Sequence, residues 1–127
     1  MTQVNEKLEK STLESTVITK AVLKAASNLQ ITNKTLAKII GLSEPTVSRM
    51  RANQKAIGRG EKAFELAALL VRLYRSLDAI TGGDDVVSST WLKNKNTILN
   101  ACPLDMIQSV QGLISVIQYL DSRRAII

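Results

Sequence analysis

Apolar positions recur at helical spacing along most of the chain, and no run of alternating β-branched residues stands between turn signals, so the pattern predicts an all-α fold. Leu13, Val17, Ala21, Val22, Ala25 and Leu29 fall along one face of a first helix, expected over about residues 12–28, with Ser11 and Glu14 matching the S-x-x-E capping box. Thr32 suits the N-cap of a short second helix whose inward residues are Leu36, Ala37, Ile39 and Ile40, stopped by Gly41. Ser43 can cap a third helix that tolerates Pro45 in its first turn and runs to about Ala52. A loop with Asn53, Gly58 and Gly60 precedes a long fourth helix, about residues 61–80, with Ala63, Phe64, Ala67, Leu70, Val71, Tyr74 and Leu77 on its stripe. Thr81-Gly82-Gly83-Asp84 is the strongest punctuation and predicts two units, residues 1–81 and 84–127. Beyond it, residues 84–92 and 109–122 read as helices, with Pro103-Leu104-Asp105 opening a short helical turn between them.

Within residues 33–52, Ala37, Gly41 and Val47 reproduce the small-x3-Gly-x5-aliphatic spacing of a helix-turn-helix. Ala37 is small where two helices cross, Gly41 permits the bend, and Val47 pins the third helix on the second. The outward face of the third helix is then short and polar, then basic. Thr46, Ser48 and Arg49 are candidates for base edges, with Arg able to grip guanine through two hydrogen bonds. Thr35, Ser43, Arg51, Asn53 and Lys55 are candidates nearer the phosphates, and Lys34 and Lys38 add attraction that is indifferent to sequence. An ordinary helical hairpin with a glycine cap is the plain alternative.

Charge strengthens that reading. The net +6 sits entirely in residues 1–60, which hold ten basic and four acidic residues, whereas residues 61–127 hold seven of each. The front half therefore suits a polyanion such as duplex operator DNA, and the rear half is built for something else. Composition excludes much chemistry: there is no His, one Cys (Cys102) and four aromatic residues, too little for a metal cluster or a His-based nucleophile relay. No cofactor is expected. Asp84, Asp85 and Asp105 could be imagined as metal ligands of an enzyme, but as carboxylates at helix starts they already have a sufficient structural role. The opening MTQVNEKLEKST lacks the apolar core of a signal peptide, and the apolar-rich stretch 64–74 is too short to span a bilayer, so a cytoplasmic protein is expected.

Residues 35–49, TLAKIIGLSEPTVSR, resemble the Xre-type helix-turn-helix family of phage-like repressors. The rear half is similar to a more specific family. Trp91-Leu92-x-Asn94-x-Asn96-x-x-Leu99, Pro103-Leu104-Asp105-x3-Ser109, then Gly112, Val116 and Leu120-Asp121 resemble the C-terminal toxin-binding domain of antitoxins that neutralise RES-domain toxins. Two positions depart from the family: Asn100 stands where Gly is frequent, and Arg123-Arg124 with two isoleucines replaces the usual ending. The resemblance implies a type II antitoxin whose front half binds its own promoter and whose rear half occludes the active site of an NAD-consuming RES toxin. The enzyme would be the partner.

Toxin contact is then expected at Trp91, Leu120, Arg123, Arg124, Ile126 and Ile127, aliphatics needing cover and arginines suited to an acidic rim. Trp91 also suits a core anchor, and the two arginines also complement the dipole at the end of the last helix. A homodimer is expected because helix-turn-helix proteins address two half-sites in pairs, with helix one or helix four offering the joining surface. The competing function is a free-standing repressor whose residues 84–127 only dimerise.

Overall fold

Seven helices follow one another along residues 2–126, the residues that the computed structural model describes, with side chains described at residue 6 and over 10–125. They are α1 (Thr2–Asn28), α2 (Asn33–Ile40), α3 (Glu44–Arg51), α4 (Lys62–Thr81), α5 (Asp85–Lys93), α6 (Pro103–Met106) and α7 (Val110–Ile126). Among the described residues there is no strand, and one isolated antiparallel bridge joins Asn96 to Ala101.

The first helix corrects the sequence expectation twice. It is already helical at Thr2, so Ser11 and Glu14 cap nothing: Ser11 O accepts from Ser15 Oγ at 3.0 Å, and Glu14 pairs with Arg59. Its inward face is also rotated from the one the aliphatics mark. Ser15, Thr19, Val22, Ala26 and Leu29 are buried, while Leu13 and Val17 stand 64% and 58% exposed. Two buried hydroxyls disguise the true stripe, and both are satisfied. Thr19 Oγ1 donates to Ser15 O at 2.6 Å and accepts the Ile57 N–H at 2.9 Å, which fastens the loop after α3 onto α1.

α4 is the wall shared by both halves. α1 and α2 pack on it from the front half, α5 and α7 from the rear. Its buried side is broader than expected, taking in Leu66, Leu73 and Ser76, whereas Phe64 and Tyr74 are half-buried. Leu29, Leu36, Ile40, Leu70, Leu73, Leu77, Leu92, Ile107, Leu113 and Leu120 belong to one continuous core, each essentially without solvent contact. Each such side chain contributes roughly 1.5–3 kcal/mol of burial. Gly82 and Gly83 turn the chain out of α4 with φ of 67° and 82°. Asp84 then caps α5 by accepting the N–H groups of Val86 and Val87, both at 3.1 Å. Among the described residues no helix is long and apolar enough to cross a membrane.

Candidate nucleic-acid interface and partner face

The bend between α2 and α3 is set by caps at both ends. Thr32 accepts the Thr35 N–H at 3.2 Å at the start of α2, and Ser43 accepts the Thr46 N–H at 3.2 Å at the start of α3. Between them Gly41 takes φ 73°, where its N–H and that of Leu42 both reach Ala37 O. Space around Gly41 is ordinary, so the left-handed backbone is what calls for glycine there. Val47 and Met50 turn inward, leaving Glu44, Pro45, Ser48, Arg49 and Arg51 outward.

On that outward face Ser43, Thr46 and Arg49 form one line. The Ser43 and Thr46 hydroxyls lie 2.7 Å apart, and Arg49 Nη2 donates to Thr46 Oγ1 at 3.1 Å, so the guanidinium rests along the helix with its remaining donors free to turn outward. Ser48 is exposed beside it, and Lys34 and Lys38 are exposed on α2. Other candidates have internal occupations. Arg51 donates through Nε to Asn33 Oδ1 and through Nη1 to Ser27 Oγ at 2.9 Å, tying the end of α3 to α2 and α1. Lys55 is half-buried against Glu61 at 3.1 Å. Asn53 adopts φ 61°, the left-handed conformation that asparagine tolerates after a helix. Thr35 is half-buried and engaged with Thr32.

A polar link that the sequence did not announce joins the halves. Asn28 Nδ2 donates to Tyr74 Oη at 2.9 Å, and that hydroxyl donates to Asp85 Oδ1 at 2.9 Å. Burial pushes the Tyr74 phenol above its usual range, with Asn28 pulling it down and Asp85 pushing it up. Tyr74 reads as one more stripe residue and Asp85 as one of two helix-start acids, so only the paired acids after the glycines carried any signal.

In the rear half most motif residues build turns. Asn96 Oδ1 accepts the N–H groups of Ile98 and Leu99 at 2.9 Å, and Asn94 Nδ2 donates to Thr90 O at 2.7 Å. Asn100, the departure from glycine, takes φ 56°, a conformation open to both residue types. Ser109 opens α7 by accepting the Gly112 N–H at 3.1 Å. A Cβ on Gly112 would stand 1.9 Å from Met106 O, so the close approach of α6 to α7 requires glycine. Cys102 is half-buried and donates weakly to Leu92 O at 3.4 Å.

The residues expected at a partner divide. Leu120 is 1% exposed and belongs to the core, on a helix packed against α4, and its side chain also lines the groove beside Trp91. The Trp91 ring stacks on Tyr119, with centroids 6.2 Å apart and planes 7° from parallel, yet it stays half-exposed. With Ile80, Val87, Tyr119 and Arg123 it lines an apolar groove of about 260 Å³. Arg124 donates to Ser76 Oγ at 3.2 Å, beside Asp121, which pairs with Arg72 and accepts from Ser76. The Ile126 side chain and Ile127 lie outside the described residues.

Residues 10–72 match the model of the antitoxin Xre-like helix-turn-helix domain, and residues 76–125 match that of the antitoxin Xre/MbcA/ParS C-terminal toxin-binding domain. No curated protein matches the chain.

Proposed function

Since the chain belongs to the Xre-type antitoxins, joining a DNA-binding helix-turn-helix to a toxin-binding domain in a type II system, we propose that it represses its own operon and neutralises a RES-domain, NAD-consuming toxin by covering the active site. The work divides near Gly82–Gly83. In front, Thr46, Ser48 and Arg49 read bases, and Ser43, Lys38, Thr35, Asn53 and Lys55 lie toward the phosphates, with Arg51 orienting α3. Behind, Trp91, Leu120 and Arg123 meet the toxin, Arg124 sits at the rim, and Ile126 and Ile127 are assigned to the same contact. Copies act in pairs in the cytoplasm.

One observation carries the reading: each matched domain leaves a face of fitting chemistry uncovered. The front face is polar and basic along α3. The rear face is an aromatic groove with an arginine at its edge.

Deleting residues 123–127 tests it. Growth and NAD level under co-expression with the toxin should fall to those of cells lacking antitoxin, while operator binding in a gel shift at fixed salt should hold. Full protection by the truncated chain overturns the occlusion. A co-purified toxin that leaves NAD untouched overturns the choice of partner.

A further inference from the structure

We propose that the outer stripe of α1 is the surface on which two copies of this chain pair, with their α1 helices antiparallel. The stripe comprises Glu6, Leu13, Val17 and Lys24, spaced by seven, four and seven residues, so all four share one side of the helix. Each is exposed, and Leu13 and Val17 are, among the described side chains of this helix, the large aliphatics that the fold leaves outside, at 64% and 58% exposure. Acid stands at one end, base at the other, and apolar side chains between.

That order is complementary to itself when reversed. A twofold axis through the level of residue 15 brings Leu13 against Val17 of the second copy and Glu6 against Lys24, each contact occurring twice. Lys10 and Lys20 also fall at matching levels, but they lean to opposite flanks of the stripe, about 40° either side of its centre line at 100° per residue, so the like charges pass each other. A parallel pair would instead set Glu6 on Glu6 and Lys24 on Lys24.

The same axis places the DNA-facing helices. α3 and its following loop lie on one flank of the stripe, where Met50, Asn53 and Gln54 border Thr16, Thr19, Lys20 and Leu23. A dyad perpendicular to two antiparallel helices keeps each flank on its own side, so both α3 helices face the same way. Arg51 is bonded to Ser27, and the two Ser27 positions are separated along the helix direction by twice twelve residues, about 36 Å at 1.5 Å per residue. Successive half-sites on B-DNA lie about 34–36 Å apart. Only this consequence rests on the operator-binding reading. The pairing itself needs no DNA, so the two can fail separately.

Four aliphatics, two from each copy, and two ion pairs make a modest contact, so the dimer should be reversible in solution. Sedimentation equilibrium of the full chain without DNA or toxin, from about 1 to 300 μM, should show a monomer–dimer equilibrium. The double variant Leu13→Glu, Val17→Glu changes only exposed positions; it should keep its helical circular dichroism and run as a monomer throughout. Glu6→Lys and Lys24→Glu should each weaken the dimer by roughly two- to tenfold, and the combined swap should recover it. A wild-type chain that stays monomeric overturns the proposal. So does a dimer indifferent to the two glutamates, which would place the joint elsewhere, or a combined swap that fails to recover, which would deny the antiparallel register.

Discussion

The front and rear halves spend their distinctive residues differently. In the helix-turn-helix, backbone geometry does the positioning: Gly41 at φ 73° and the caps Thr32 and Ser43 fix the bend, which leaves Ser48 and Arg49 pointing outward. In the rear unit the most recognisable residues are consumed by construction, Asn94 and Asn96 in turns, Ser109 as a cap, Gly112 in a close approach. The groove proposed for a partner mixes motif residues, Trp91 and Leu120, with residues of lower signature value, Val87 and Arg123. A family motif thus marks the exposed face of α3 in one half and mostly scaffold in the other.

Gly112→Ala breaks this contrast most severely. A methyl 1.9 Å from a carbonyl oxygen must push α6 from α7, with a loss on the order of 3 kcal/mol and a lower Tm. Gly60→Ala, where nothing lies within 4 Å, is its control and should be close to neutral. An unchanged Tm for Gly112→Ala would show that the rear motif is not structural.

A second substitution sharpens the front half. Arg49→Ala should reduce operator affinity by about 1–3 kcal/mol, read by gel shift at constant salt, with no change in Tm. Arg51→Ala should lose affinity and also a little stability, because it releases Ser27 and Asn33. Equal behaviour of the two variants would erase the distinction between reader and brace.

The smallest expected effect tests the link between halves. Tyr74→Phe removes the bonds to Asn28 and Asp85 and should cost about 1 kcal/mol in denaturant unfolding. Because burial raises the phenol's pKa in the folded state, its contribution is complete below about pH 10 and is lost as pH climbs through the folded value. The wild-type chain should therefore lose stability more steeply than Tyr74→Phe above pH 10.

Much of this architecture is legible in the chain. α2, α3 and the bend appear from Leu36, Ala37, Gly41, Ser43 and Val47, since local caps and short-range spacing decide them. α1 is misread in phase because helix burial there is carried by Ser15 and Thr19, whose hydroxyls are satisfied by the helix's own carbonyl oxygens and by a distant loop N–H. No hydropathy pattern encodes that. Arg51 and Lys55 look like free cations for the same reason: their partners, Ser27 with Asn33 and Glu61, are set by tertiary folding. Leu120 carries a family signature without showing which way it faces.

The stacked pair of Trp91 and Tyr119 has a practical side. The chain contains a single tryptophan, and it lies half-open on the rear groove. Its fluorescence is thus an unlabelled optical gauge: seating of a toxin there should shift its emission colour, whereas an event confined to the opposite end of the molecule should leave its light unaltered.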